Sequence, residues 1–177
     1  MVLIPHAFSI SLVVTLLVVT LLVFTGCGSS SGKPAVAALG YKSVTFPNGS
    51  VQLAIPEAYN QRSEPDDTLA ITPGDNTGIV LRFTLHTLPE AVAEEFLQSQ
   101  AQKKGLQMQR IGNKATISES GTRSEGGREY DMAFWQVGFG DSMVVISAET
   151  DRNRKGDQIV AECLNEVPKI IESMQKY

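Results

Sequence analysis

Histidine is scarce in this chain of 177 residues, and the scarcity limits the chemistry that the chain can perform. The two histidines are His6 and His86. Only His86 lies beyond the apolar N-terminal run, so no second histidine is available there for a zinc site or a catalytic triad. His86 falls on the polar side of an alternating stretch, where solvation is the ordinary outcome. We therefore expect no catalytic residue, no enzyme activity, no cofactor and no metal site.

Other polar groupings do not match known sites. Glu64, Asp66 and Asp67 could attract a cation, but their spacing does not match an EF-hand loop, and solvated loop carboxylates are common. Three serines lack both a neighbouring base and a nucleophile elbow: Ser118, Ser120 and Ser124. Tyr59 is the only aromatic residue of the polar stretch 56–67. Tyr59 and His86 remain as candidate contacts with a protein partner, and partial burial is an equal alternative for Tyr59.

The two cysteines, Cys27 and Cys163, have different surroundings. Cys163 lies among apolar residues spaced three and four apart, as on the buried side of a helix, so we expect a small buried hydrophobe there. Cys27 follows an apolar run. If Cys27 is acylated, Cys163 has no partner and no disulfide can form within the chain.

Residues 8–24 form that apolar run, without charge, glycine or proline. Three explanations remain open. A transmembrane helix needs about 20 apolar residues. An ordinary signal peptide needs an apolar region of about 7–15 residues before a small-residue cleavage site. The third is a lipoprotein signal, in which Cys27 becomes the first residue of the mature chain. All three place the rest of the chain outside the cytoplasm.

The residues Phe24-Thr25-Gly26-Cys27 resemble the bacterial lipobox, in which small residues precede a cysteine. Phe24 stands where that family usually has leucine, and the first segment carries no lysine or arginine. The resemblance implies a signal peptide over residues 1–26, acylation of Cys27 with palmitate-type chains, and a flexible tether over 27–40. It implies a lipid-anchored protein of the bacterial cell envelope. Gly28, rather than aspartate, favours the outer membrane, facing the periplasm.

The charge of the mature part excludes one class of partner. All fifteen basic and nineteen acidic residues follow Gly32, giving a net charge of −4. No basic block interrupts this balance, so we expect no nucleic-acid binding.

The region from residue 41 onward reads as one α+β domain, 41–177. Strands are predicted from alternating apolar residues bounded by turn signals, at 41–46, 51–55, 69–71, 79–88, 106–111, 114–122, 128–139 and 143–148. The stretch 57–67 is predicted as a loop. In strand 128–139, Tyr130, Met132 and Phe134 should face one side and Trp135, Val137 and Phe139 the other.

Two helices are predicted. The first opens near Pro89 and ends at Lys103-Lys104-Gly105, with an apolar side made of Val92, Phe96, Leu97 and Ala101. The second begins near Asp157 and packs a strong apolar stripe on the sheet. The stripe comprises Ile159, Val160, Cys163, Leu164, Val167, Ile170, Ile171 and Met174. Pro168 should kink this helix.

This order of elements resembles the PsbP/Mog-type α/β sandwich. The likeness rests on the opening hairpin with Val51-Gln-Leu-Ala-Ile-Pro56, the central pair Phe134-Trp-Gln-Val137 and Val144-Val-Ile-Ser-Ala148, and the closing Ile170-Ile-Glu-Ser-Met174. Tyr59 replaces the tryptophan that usually follows the second strand. The resemblance implies a curved antiparallel sheet flanked by two main helices, and non-enzymatic roles as extrinsic subunits, assembly factors or chaperones.

Three functions follow as hypotheses. The first is a membrane-anchored, non-catalytic module that binds or assembles an unknown protein partner, with membrane lipid contacted through acylated Cys27. The second is a carrier of a small ligand or metal ion in the concavity of the sheet. The third is a hydrolase with a noncanonical site, for which the sequence offers the least support.

Overall fold

The computed structural model describes residues 40–88 and 93–176, all of which belong to the unit Lys33–Tyr177. The predicted signal peptide, Cys27 and all of the predicted tether except Gly40 lie outside the described residues. Neither helix in the described part of the chain is long and apolar enough to span a membrane.

The described residues form ten strands and two α-helices. The strands are β1 (Tyr41–Thr45), β2 (Val51–Pro56), β3 (Asn60–Glu64), β4 (Thr68–Thr72), β5 (Ile79–Thr87), β6 (Met108–Ile111), β7 (Lys114–Glu125), β8 (Arg128–Phe139), β9 (Ser142–Asp151) and β10 (Gln175–Lys176). The helices are α1 (Ala93–Lys104) and α2 (Gln158–Ser173), with a 3-10 turn at Arg152–Arg154.

Seven strands make one large sheet in the order β3-β4-β5-β9-β8-β7-β6, with every neighbouring pair antiparallel. Two-residue loops join its later strands, as at Gly126-Gly127, where both glycines have positive φ values of 56° and 77°. Such values suit a type I′ hairpin turn. The α+β class with a large antiparallel sheet and two helices is therefore confirmed.

The opening hairpin does not join that sheet. β1 and β2 pair with each other, and the unpredicted strand β10 adds to β2 through Gln175 and Lys176, giving a separate three-stranded sheet. Ser173 ties the end of α2 to this sheet, because its hydroxyl accepts from the Ala54 amide at 2.8 Å. The C-terminal residues therefore close the small sheet.

β3 corrects the prediction of a loop over 57–67. Asn60–Glu64 forms an edge strand paired with β4, and all its residues are exposed or half-buried. Pattern analysis missed it because a strand that buries neither side has no apolar alternation. Its pairing with β4 comes from the main-chain hydrogen bonds of an antiparallel ladder.

The large sheet buries one side, called here the inner face. Its apolar residues alternate along β5, β8 and β9, and they pack against α2 and the small sheet. The central members are Leu81, Phe83, Val137, Val144 and Ile146, all fully buried. As predicted, Trp135 and Phe139 share this side with Val137. Burial of this area, at about 25 cal/mol per Å², is the main source of stability.

α2 supplies the other half of the core. Val160, Cys163, Val167, Ile170 and Ile171 are buried, which confirms most of the predicted stripe. Ile159 and Leu164 are only partly buried and pack at its border. Pro168 lies within the helix on its exposed side.

α1 covers part of the opposite side, the outer face. Ala93, Leu97 and Ala101 are its buried residues, packed with Ala115 and Ile117 of β7. Phe96 is 38% exposed, so the prediction that it lies on the apolar side of α1 is wrong. Its neighbour in the sequence, Leu97, is the residue that is buried there. Val92 lies outside the described residues. The predicted stop is confirmed, since α1 ends at Lys104 and Gly105 has a φ of 67°.

Candidate binding face

Beyond α1, no other helix within residues 40–88 and 93–176 covers the outer face of the large sheet. Strand residues alternate between the two faces, so the positions between buried residues of β5, β8 and β9 point outward. We call one group of these the outer-face patch. It consists of Arg82, Arg123, Tyr130, Met132, Phe134 and Glu149, and every member is exposed or half-buried.

An ion-pair network crosses this patch from β3 to β7. Glu64 accepts from Arg82 at 3.0 Å, and Arg82 reaches Glu149 at 3.3 Å. Glu149 also pairs with Arg123 at 2.9 Å. Arg62 and Glu125 extend the network at its two ends, at 2.7 and 3.0 Å. Charged residues from four strands are therefore held in one alternating row.

The network lowers the pKa of one of its acids, Glu64, and contributes little to the stability of the fold. Hydrogen bonding from Arg62 and Arg82 lowers the pKa of Glu64 despite the opposing effect of its desolvation. Exposed ion pairs typically contribute only about 0.2–1 kcal/mol each. Glu149 has a side chain that is 17% exposed and bridges two arginines, so it is the centre of the row.

Apolar side chains lie within this charged surface. Tyr130, Met132 and Phe134 follow one another on the outer side of β8, as predicted, and all three are half-buried. The Arg123 guanidinium lies over the Tyr130 ring, 5.3 Å from its centroid. An apolar centre with charged surroundings is the usual composition of a protein interface.

The patch continues into a polar cavity of about 470 Å³ beside the β4–β5 turn. Arg62 and Glu149 belong to both the cavity and the network, and Tyr130 of the patch also lines the cavity. The turn itself brings Asn76 and Gly78, both at positive φ, to the cavity wall. Main-chain and charged groups, rather than apolar ones, dominate this wall.

His86 lies on the same face, near the end of β5. It is exposed and stands in register with Met143 of β9. This position leaves it accessible to a partner, as the sequence suggested, and the contact itself stays a prediction.

Tyr59 lies in the core instead of on the surface. It is 7% exposed and belongs to the main apolar cluster, so of the two alternatives left open by the sequence the structure shows burial, which leaves it little area to offer a partner. Burial, together with the neighbouring Cys163 thiol, raises the pKa of its hydroxyl. Burial likewise raises the pKa of Cys163 to about 11. The pair is a structural feature of the core.

The acidic residues of the β3–β4 connection serve a turn. Asp66 and Asp67 both have positive φ, at 59° and 52°, and the Thr68 amide donates to the Pro65 carbonyl at 3.3 Å. Their side chains can adopt this conformation more readily than most. Within residues 40–88 and 93–176, no group of three or more histidine, cysteine, aspartate or glutamate side chains could hold a metal ion.

A second depression, the inner-face groove, lies between α2 and the β7–β8 hairpin. Its volume is about 470 Å³. Ala133, Val160 and Leu164 give it an apolar floor, and Ser120 is on its wall. At one end Lys155 and Asp131 pair at 2.9 Å.

The ion-pair network and one buried lysine were not predicted from the sequence. The network joins residues that are up to 87 positions apart in the sequence, from Arg62 to Glu149. Only the strand order and register therefore reveal it. Lys114 is 5% exposed, and its ammonium donates to the Glu172 carbonyl at 2.9 Å near the end of α2. Desolvation lowers the pKa of Lys114. A lysine at the first position of a strand does not indicate, from the sequence, that its ammonium will bind a carbonyl at the end of a helix.

Comparison with known proteins finds similarity in fold only. No family model matches the chain, and no curated protein matches it significantly. A crystal structure of a protein from Bacteroides thetaiotaomicron is similar, with a TM-score of 0.63 and 14% identity over 78% of this chain. The chain spans about half of that protein, 49% of its length.

Two further structures are similar over most of their length. LpqN of Mycobacterium tuberculosis, involved in cell envelope biogenesis, has a TM-score of 0.53 and 12% identity; 77% of this chain and 90% of LpqN are covered. The solution structure of the PsbP protein of Synechocystis, CyanoP, is 12% identical over 85% of this chain and 99% of CyanoP. Its TM-score of 0.35 is too low to carry an argument, so the PsbP/Mog assignment stays a prediction.

Proposed function

We propose that this protein is a non-catalytic module of the bacterial cell envelope, anchored through acylated Cys27, that binds a protein partner with its outer-face patch. The observation that carries the proposal is the patch itself. It combines three half-buried apolar side chains with an ordered row of arginine and glutamate, and α1 leaves it uncovered.

The physical argument favours a protein over a small molecule on this face. A surface of alternating charges on a rigid sheet selects partners by electrostatic complementarity. Apolar and aromatic groups such as Met132, Phe134 and Tyr130 supply the energy once water is displaced. The envelope role named for LpqN supports the cellular setting, through the likeness of the two folds.

The binding experiment is site-specific photocrosslinking in intact cells. A photoreactive residue replaces Met132 in the patch, and in a control chain it replaces Lys169, which is exposed on α2. We expect a defined crosslinked partner from position 132 only, and loss of that product when Glu149→Arg is added. Equal products from both positions, or a product that Glu149→Arg does not change, would contradict the proposal.

The anchor has a separate test. Cells are fractionated with the wild-type chain and with Cys27→Ser, each with and without globomycin, which blocks removal of lipoprotein signal peptides. We expect globomycin to leave an unprocessed wild-type chain, and Cys27→Ser to stay unprocessed with or without globomycin, because removal of a lipoprotein signal requires the acylated cysteine. A Cys27→Ser chain that is processed like the wild type, or wild-type processing that globomycin does not change, would contradict lipid anchoring.

A carrier of a small apolar ligand is the second candidate, because the inner-face groove has a suitable size. Ligand pockets typically measure roughly 300–1,000 Å³, and this groove measures about 470 Å³ with an apolar floor. Native mass spectrometry of the full chain should then show bound mass that Ala161→Trp, placed on the groove wall, removes. A spectrum of the protein alone would contradict this function.

A further inference from the structure

Half of β7 has an open edge. β6 pairs with β7 only from Lys114 to Ile117. From Ser118 to Glu125, β7 pairs with β8 on one side, and no other described strand pairs with it on the other side. Every residue of this free segment except Glu119 is exposed. An exposed edge of this length is a template for a further strand.

The hairpin loops determine which backbone groups face the open edge. A two-residue loop is flanked by a hydrogen-bonded pair, and such pairs alternate along the strands. The Gly126-Gly127 loop therefore directs the odd-numbered residues of β7 to β8. The Gly112-Asn113 loop directs the even-numbered residues to the β6 side. Four residues consequently present free N–H and C=O groups: Ser118, Ser120, Thr122 and Ser124.

We propose that this edge binds a second copy of the chain, with the two β7 segments antiparallel around a two-fold axis at Gly121. The sequence of the segment, SESGTRSE, is self-complementary in this register. Glu119 then lies opposite Arg123 of the other copy, twice. Ser118 lies opposite Ser124, and Ser120 opposite Thr122. Opposite charges and paired hydroxyls at facing positions stabilise antiparallel strands.

Other registers fail on the same evidence. In a register that pairs even-numbered with odd-numbered residues, the second strand would face main-chain N–H and C=O groups that already form hydrogen bonds with β8. A slip to Thr122 as the centre puts Glu119 opposite Glu125, and like charges at facing positions are destabilising. A slip to Ser120 places residues 123–125 of the second copy opposite positions of β7 that already pair with β6. The register centred on Gly121 brings only Glu125 to such a position, opposite Ile117.

The side chains have capacity for the new contacts. Glu119 accepts from Lys104 at 2.7 Å, and Arg123 binds Glu149 and Glu125. A carboxylate can accept about four hydrogen bonds and a guanidinium can donate five, so each has groups left for a partner across the axis. Gly121 permits close approach, because nothing lies within 4 Å of the position of a Cβ there.

The pairing is weak but specific. It supplies about eight main-chain hydrogen bonds, each of which makes only a modest net contribution because it replaces hydrogen bonds to water. It also places both outer faces on the same side, so the outer-face patches of the two copies form one surface. This inference does not depend on the proposed partner.

Disulfide trapping tests the axis in the full chain carrying Cys27→Ser, in detergent. Gly121→Cys brings two thiols to a facing pair whose Cα atoms are about 4.5 Å apart, a distance that a disulfide spans. The matched control is Glu125→Cys on the same exposed segment, which lies roughly 27 Å from its counterpart in this register. We expect mild oxidation to link Gly121→Cys chains at least tenfold faster than the control. Equal rates would overturn the proposal.

A charge exchange tests the register independently. Arg123→Glu and Glu119→Arg each create like-charge pairs across the axis, so each should reduce dimer formation in sedimentation experiments. The double variant Glu119→Arg/Arg123→Glu restores only the pairs between copies, because it reverses both partners of each. It still disrupts the contacts with Lys104 and Glu149. Recovery of the dimer supports the proposal, whereas a double variant as monomeric as the singles overturns it.

Discussion

At the residue scale, the buried pair of Tyr59 and Cys163 is informative because burial disfavours the ionised form of both side chains. Both belong to the main apolar cluster, and burial is the largest cause of the raised pKa of each group. The pair therefore links the core to pH.

Tyr59→Phe should make the protein less sensitive to alkali. In the unfolded chain the tyrosine ionises near its ordinary pKa of 10.0, whereas burial raises the folded value. The stability that this difference contributes is complete below pH 10 and is lost as pH rises above it, by about 1.4 kcal/mol per unit. Urea unfolding at pH 8 and pH 11 measures the loss, with Tyr130→Phe on the outer face as the control. Equal losses in the wild type and Tyr59→Phe would contradict the assignment.

Cys163 should resist alkylation in the folded protein. Its pKa of about 11 leaves on the order of one thiol in a thousand ionised at pH 8, and the thiolate is the reactive form. The residue is also fully buried. In the Cys27→Ser chain we expect no labelling by iodoacetamide over an hour, and full labelling in denaturant, measured by mass spectrometry. A Glu125→Cys variant labels quickly as the control; similar native rates for both thiols would refute burial.

The sequence predicted these two residues unequally. Cys163 could be placed in the core because its neighbours recur at helical spacing. Tyr59 could not, because the stretch around it is polar and its burial depends on α2, more than a hundred residues later. The local sequence pattern around Tyr59 does not show that a helix far along the chain will pack over it.

At the element scale, the contact between α1 and β8 depends on one missing side chain. A Cβ at Gly138 would lie 2.9 Å from Leu97 Cδ1 and 3.2 Å from the Ala93 main chain. The leucine side chain can move, but the helix backbone cannot move without separating α1 from the sheet.

Gly138→Ala should therefore destabilise the fold, by about 1–3 kcal/mol as in other overpacked contacts. Gly121→Ala, in the same hairpin but with open space around it, should stay within about 0.5 kcal/mol. Thermal unfolding of both variants measures the difference. If Gly138→Ala is as stable as Gly121→Ala, α1 does not pack as closely as described.

Charges in α2 should act according to burial. Ile171 is fully buried, so Ile171→Asp places an unpaired carboxylate in the core and should leave little folded protein at 37 °C. Leu164 is half-buried beside the inner-face groove, so Leu164→Asp should cost less, about 1–2 kcal/mol. Circular dichroism and urea titration rank the two variants. The opposite order would show that the helix is rotated from the position described.

α2 and β3 show the limits of the sequence at this scale. The helix could be predicted almost completely, since its buried residues repeat at three and four positions and burial follows that period. β3 and β10 could not be predicted, because both are exposed and are defined by their partners β4 and β2. The division of the strands into two sheets likewise depends on pairing, which no local signal in β1 or β2 specifies.

At the scale of the whole molecule, the two faces of the large sheet differ in composition. The inner face holds the core with α2. The outer face holds the α1 cluster and, beyond α1, the ion-pair network to which we assign the proposed partner. Glu149→Gln should therefore lower the free energy of unfolding by less than about 1 kcal/mol. In this variant Arg82 still forms its ion pair with Glu64, and Arg123 still forms its ion pair with Glu125. The same change should reduce crosslinking of the partner at position 132. A variant that unfolds easily but still captures its partner would reverse the roles of the two faces.

The polar composition of β3 has a consequence for the size of any assembly. If β7 edges join two copies, the free edges of the combined sheet are β3 and β6 of each copy. β3 is five residues long and carries Arg62 and Glu64, and β6 is four residues long and carries Arg110. Short charged edges discourage further addition. Growth would thus stop at a closed pair, and concentrated solutions should not polymerise into fibres.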